Sequence, residues 1–335
     1  MTKRIILTLF FALLLVGCNS STKPVSSTSI VIPVNTQSKL QKPLNNPPRT
    51  ALLLTTPKEP PIRTFEQTGE VAKEIPVLMY HHLLKKKENT FTSNGIVLNV
   101  ENFQQQMDYL YNNKYTTIKL AELEQWLLGN IELPKKSVCL TFDDGYLSSY
   151  IYAYPIFKKY DFRAIQFLIT SYVKDDSVEF NPKIQQTLSW KDINKTRDVF
   201  EYPNHTHNLH KLKGDKGYLI TKPLNVVKKD LMKNMELTHS PYFSYPYGHY
   251  NDDVVKLLQD IGIRMAFTVN NGTVKKSDSL LELKRYGVYP NTSMDTFKNM
   301  VNVKHYDIPN KKKTVSKSLK KSFKKTKLTN NKFIQ

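Results

Sequence analysis

The chain has 335 residues, 40% of them hydrophobic and 11% aromatic, which is enough for one large core with appendages and too apolar for a disordered polyampholyte. Its two cysteines exclude a disulfide scaffold or a zinc ribbon, and a single long apolar stretch excludes a polytopic membrane protein. The formal charge of +20 belongs to the ends: residues 74–310 hold 30 basic and 26 acidic residues, whereas 311–335 hold ten lysines and no acid, which argues against a nucleic-acid partner for the globular part.

Lys3 and Arg4 precede the apolar run Ile5–Val16, the length of a signal-peptide core and short for a membrane span. The run ends in Leu15-Val16-Gly17-Cys18, which resembles a bacterial lipobox. Residues 1–17 thus read as a signal peptide. Either Cys18 receives a lipid and holds the protein on the membrane at the bacterial cell surface, or the signal is an ordinary secretory one. Residues 18–73, rich in Ser, Thr, Pro, Asn and Lys, read as a flexible tether.

From residue 74 the chain alternates between strand and helix periodicities. Strands are expected over 75–82, 115–118, 137–142, 164–169, 242–245, 265–269 and 283–288. Helices are expected over 100–112, 120–128, 148–159, 225–237 and 252–260. Regular βα alternation implies a parallel sheet or barrel with active groups at the carboxyl ends of the strands. After residue 305 the chain becomes a basic tail that reads as disordered, with anionic lipid or wall polymer as the partner its charge suits.

Four groups fall at the strand ends. Asp143 and Asp144 follow the apolar strand 137–142; two adjacent carboxylates there either cap the next helix or need a cation beside them. Asn204-His205-Thr206-His207-Asn208-Leu209-His210 places three histidines in six residues, as a surface loop or as a source of imidazole ligands; a spacing of five puts no two on one helix face. Tyr245-Pro246-Tyr247-Gly248 makes a turn that can present a backbone N–H to a ligand, or only a turn. Tyr80-His81-His82 ends the first strand, where histidine suits proton transfer.

Together these motifs resemble the polysaccharide deacetylase (NodB-homology) family, carbohydrate esterase family four. The likeness is strongest to the branch of poly-β-1,6-N-acetyl-D-glucosamine N-deacetylases of IcaB/PgaB type, and it covers residues 74–305. The resemblance implies an α/β fold, a distorted (β/α)7 barrel. It also implies hydrolysis of N-acetyl groups on an extracellular N-acetylglucosamine polymer by way of one divalent metal, zinc by default, with nickel, cobalt or iron as alternatives. It assigns Asp144, His205 and His210 to the metal, Asp143 to the general base, His81 to the general acid, and the Tyr247 backbone N–H to the oxyanion. Pro246, Arg285 and His82 are then substrate-side or supporting residues.

Two departures stand out. Many members carry an arginine two positions before the proline of Pro-Tyr-Gly, where this chain has Ser244; Arg285 is the candidate replacement. Asn204 stands where a serine often precedes the first metal histidine. The runner-up activity is peptidoglycan N-acetylglucosamine deacetylation or another acetyl-polysaccharide esterase activity. From another class, a non-catalytic glycan-binding surface lipoprotein would carry the same leader.

Overall fold

Alternation of short strands with helices runs through the computed structural model, which describes residues 62–65 and 69–302. The signal peptide, Cys18, most of the expected tether and the basic tail lie outside these residues. In chain order the elements are β1 (Glu74–Ile75), β2 (Val77–Tyr80), β3 (His82–Leu84), β4 (Val97–Asn99), α1 (Val100–Asn112), β5 (Thr116–Thr117) and α2 (Leu120–Leu127). Next come β6 (Ser137–Phe142), a π-helical turn (Ser149–Ala153), α3 (Tyr154–Tyr160), β7 (Ala164–Gln166), α4 (Trp190–Thr196), β8 (Phe200–Glu201) and the hairpin β9 (Leu212–Lys213) and β10 (Lys216–Gly217). The last are α5 (Tyr218–Thr221), α6 (Leu224–Thr238), β11 (Tyr242–Ser244), α7 (Asp252–Asp260), β12 (Met265–Phe267), β13 (Val274–Lys275), β14 (Tyr286–Gly287) and α8 (Met294–Val301).

A parallel sheet runs β14-β2-β6-β7-β8, with β5 also paired to β6. Strands β11 and β12 form a second parallel pair, and single parallel bridges join Leu168 to Asn204, Asn204 to Phe243 and Phe267 to Leu283. Parallel strands are covered on both faces, which is why β2 and β6 are buried along their whole length. The pleat sends alternate residues to opposite sides. Leu78, Tyr80, Leu140 and Phe142 pack with Phe103 and Met107 of α1 and Phe157 of α3, whereas Val77, Cys139, Ile165, Phe167 and Phe267 form a second cluster with Trp126 of α2. Each such large apolar side chain contributes roughly 1.5–3 kcal/mol on burial.

The structure departs from the sequence reading where local chemistry intervenes. The first expected strand is cut at Pro76, which lacks an N–H for the ladder, and at His81. The expected helix over 148–159 divides into the π-helical turn and α3, because Pro155 near the start of α3 cannot donate to the preceding turn. The expected last strand shrinks to β14 and the bridge at Leu283. Strands β4 and β8, the β9–β10 hairpin and helices α4 and α8 carried no sequence expectation. Part of the expected tether packs on the domain. Arg63 sets Nε and Nη2 each 2.7 Å from the Glu122 carboxylate, and the Ala72 N–H donates to Leu133 O at 2.8 Å.

Candidate active site

Local backbone geometry turns the functional side chains toward one another at the carboxyl ends of the parallel strands. After β6, Asp144 and Gly145 take φ of 72° and 75°, two successive left-handed residues that reverse the chain at once. Asn204, between two parallel bridges, donates through Nδ2 to Ser240 O at 2.6 Å and Tyr242 O at 2.8 Å and accepts from the Thr238 hydroxyl at 2.7 Å. That three-way lock, beyond the reach of a serine, accounts for asparagine at this position. Thr206 is buried at φ 72°, a costly conformation for a β-branched residue. Asp230 of α6 holds the loop by accepting from the His207 and Asn208 N–H groups at 2.8 and 2.7 Å. Tyr247 at φ 58° precedes Gly248 at φ 69°, where an added Cβ would lie 2.3 Å from Val269 Cγ2.

Asp144, His205 and His210 converge, with one potential ligand atom from each lying within 4.8 Å of the others. Asp144 Oδ1 is 3.4 Å from His205 Nε2 and 3.2 Å from His210 Nε2. His205 Nδ1 lies 2.7 Å from Ser244 O; a carbonyl only accepts, so Nδ1 carries a proton and Nε2 faces the cluster, a ligand atom once the ring is neutral. Burial pushes His210 down to about 4, so its imidazole is neutral at physiological pH. Burial opposes ionisation of Asp144, but the His210, His205 and His81 imidazoles beside it outweigh that and hold the carboxyl below the usual range. His205 is shifted the other way, since Asp144 and Asp143 outweigh its burial. Asp144 Oδ1 is buried and has no hydrogen-bond partner. Two imidazoles and one ionised carboxylate with an orphaned oxygen fit one divalent transition metal.

Asp143 has the same pleat parity as Cys139 and Thr141, so it continues the face lined by Phe167. There the guanidinium of fully buried Arg285 sets Nη1 2.8 Å from Oδ1 and Nη2 2.8 Å from Oδ2 of Asp143. Arg285 also donates to Thr268 O at 2.9 Å and to Ser244 Oγ at 2.8 Å, and Ser244 Oγ donates to Asp143 Oδ2 at 3.2 Å. Burial pushes Asp143 up, but the Arg285 and His205 charges overcome it and leave the carboxyl at about 2. Arg285 is thus the cation beside Asp143, and the small Ser244 joins the same network.

His81 is half-buried just after β2, close enough to Asp143, Asp144 and His210 to influence them electrostatically; its Nδ1 is buried without a partner. His82 is fully buried with Nδ1 2.7 Å from Ser148 Oγ and its ring stacked on Tyr146 at 4.8 Å. Pro246 is also buried. His207 turns away to Thr170 Oγ1 at 3.0 Å. The exposed Tyr247 ring lies 4.3 Å from the His210 ring, and its hydroxyl donates to His210 O at 3.2 Å. Tyr146, Tyr172 and Asp230 border the site without any sequence signal, since each lies outside a motif.

Residues 130–266 match the family described as Polysaccharide deacetylase. The chain is 30% identical over 207 residues to a poly-beta-1,6-N-acetyl-D-glucosamine N-deacetylase of Staphylococcus aureus (strain N315), covering 59% of this chain and 69% of that one. It is 28% identical over 248 residues to the protein of the same name from Staphylococcus epidermidis, covering 68% and 83%. Among solved structures, the Streptococcus pyogenes deacetylase PplD in complex with acetate superposes with a TM-score of 0.59 at 26% identity, over 68% of this chain and 98% of that one.

Proposed function

Since this chain belongs to the polysaccharide deacetylase family, whose members hydrolyse N-acetyl amide bonds, we infer that its substrate is poly-β-1,6-N-acetyl-D-glucosamine and that its hydrolysis is metal-dependent. The observation that carries this reading is the Asp144–His205–His210 cluster set beside an Arg285-held Asp143. The polymer is supported by the names of the two staphylococcal relatives.

Asp144, His205 and His210 would hold the metal, zinc by default. A bound divalent ion supplies a Lewis acid that polarises the acetyl carbonyl and acidifies water. Asp143, kept ionised by Arg285, accepts the proton of the attacking water as general base. The Tyr247 backbone N–H hydrogen-bonds the tetrahedral oxyanion, a contact whose loss typically costs about 10²–10³-fold in rate. His81 donates the proton that lets the amine depart. Water has then replaced the amide nitrogen on the acyl carbon, giving acetate and a glucosamine unit.

The parallel pairings β2-β6-β7-β8, the bridges through Asn204, the β11–β12 pair, the Phe267–Leu283 bridge and β14 support a distorted (β/α)7 barrel. The domain assignment proposed is a signal peptide at 1–17, a lipid on Cys18 with its tether to 73, the deacetylase domain at 74–305 and a basic tail at 306–335. The leader supports a membrane-anchored location at the cell surface, and the lysine-rich tail suits anionic lipid or wall polymer.

Acetate release from poly-β-1,6-N-acetylglucosamine, peptidoglycan and chitin oligomers, with and without chelator, tests the reading. Chelator-sensitive release from the β-1,6 polymer above the other two is expected. Faster release from peptidoglycan overturns the polymer, and chelator-resistant release overturns the metal.

A further inference from the structure

The folded body concentrates its positive charge in one place. Residues 211–233 contain seven lysines against Asp215 and Asp230, whereas the rest of 74–310 holds 23 basic and 24 acidic residues. The segment begins at the residue after His210, and its first part, residues 211–217, stays close to the site. Lys211 O accepts from the Tyr218 N–H at 2.8 Å, which folds the chain back over the β9–β10 hairpin, where Lys213 and Lys216 face each other. The Gly217 N–H then donates to His249 Nδ1 at 2.9 Å; His249 neighbours Tyr247, with ring centroids 6.1 Å apart. From α6, Asp230 commits its carboxylate to the His207 and Asn208 amides, so it neutralises none of the nearby lysines by direct pairing. Lys233 pairs with Glu236. Lys211, Lys213, Lys216, Lys222, Lys228 and Lys229 are all exposed, and no ion pair joins any of them to a carboxylate among the described residues.

Hydrolysis of an N-acetylglucosamine unit converts a neutral amide into an amine that takes up a proton, so each turnover adds one cation to the polymer and releases one acetate. We propose that the lysine flank Lys211, Lys213 and Lys216 is a charge filter on the substrate chain: it admits acetylated neighbours of the reacting unit and disfavours neighbours already deacetylated. This rests on the N-acetylglucosamine polymer reading above and adds to it a rule for which units react. Repulsion between surface charges is weak and screened within about 8 Å at physiological salt, so the discrimination is graded and salt-dependent. A polymer processed this way carries spaced amines rather than runs of them.

The test compares two β-1,6-linked pentamers, one fully N-acetylated and one with a single glucosamine. Acetate release is measured with the full chain and with a Lys213→Gln, Lys216→Gln variant whose melting temperature confirms folding. At low salt the wild type is expected to prefer the neutral pentamer in kcat/KM by roughly threefold, the scale of a few screened charges. The preference should shrink toward unity at high salt and in the variant. Acetate release with the same ratio in both proteins, or a ratio indifferent to salt, overturns the filter while leaving the substrate reading intact. A variant that loses binding to anionic vesicles at an unchanged ratio assigns the lysines to lipid and overturns it too. No release from either pentamer ends both the substrate reading and the filter.

Discussion

Arg285 and Asp143, 142 positions apart in the chain, meet through two parallel hydrogen bonds of 2.8 Å with both side chains almost completely buried. A bidentate guanidinium–carboxylate pair is geometrically demanding, and burying it is tolerable only because Thr268 O, Ser244 Oγ and Thr141 Oγ1 accept the remaining donors. The pair keeps a buried carboxylate ionised next to a second carboxylate, Asp144, which a proton acceptor at neutral pH requires.

Removing the guanidinium should therefore act on both rate and stability. Arg285→Gln leaves Asp143 buried without its charge partner, at an expected cost of about 3–5 kcal/mol in folding stability by denaturant titration. With its main lowering influence gone, the Asp143 carboxyl rises from about 2, and the acid limb of the kcat/KM profile should move to higher pH. An acid limb unchanged in Arg285→Gln would remove Arg285 from the function assigned to it.

The metal and proton roles separate by variant. His210→Ala should lose both bound metal and activity while its melting curve remains cooperative. Asp143→Asn should retain metal, measured by elemental analysis, and lose turnover. His81→Ala should slow turnover by about 10²-fold or more. His82→Ala should instead lower stability, because its buried ring fills the space between Ser148 and Tyr146. A crippled but stable His82→Ala beside a normal His81→Ala would reverse the acid assignment.

Glu201 gives a pH dependence of folding stability. It ends β8, in register with Ile165 of β7 and through it with Thr141 of β6, and burial raises its carboxyl to about 7 although the Leu120 N–H donates to it at 2.8 Å. The folded state therefore holds a proton that the unfolded state releases near the ordinary carboxylate value. Stability contributed by that proton is complete below about pH 4 and falls as pH rises toward 7, by up to roughly 3 kcal/mol. Glu201→Gln should flatten this slope in denaturation midpoints between pH 4.5 and 8 and be the more stable protein at pH 8. A parallel slope in the variant refutes the assignment.

Anchoring is tested at Cys18. Cys18→Ser should leave the signal uncleaved or release protein to the medium, read by fractionation and immunoblot. Unchanged membrane retention with normal cleavage would move the anchor to the basic tail.

Much of this molecule is legible from local chemistry. Strand β6 and helices α1 and α7 begin and end where expected because each carries its own signals, a buried apolar run in β6 and, in α7, an Asn251 cap with Asp252 and Asp253 in the first turn. The Asp143-Asp144 pair and the histidines at 205 and 210 announce themselves by spacing and residue type, since few chemistries need those groups so close together. The pairing of Arg285 with Asp143 could only be suspected, and the Asn204 lock and the grip of Asp230 on the His207–Asn208 amides left no trace in sequence. Each depends on strand register and helix placement bringing distant residues within 3 Å, and a shift of one residue turns a side chain to the opposite face of its strand. Residue type sets what a group can do; packing among remote segments sets what it touches.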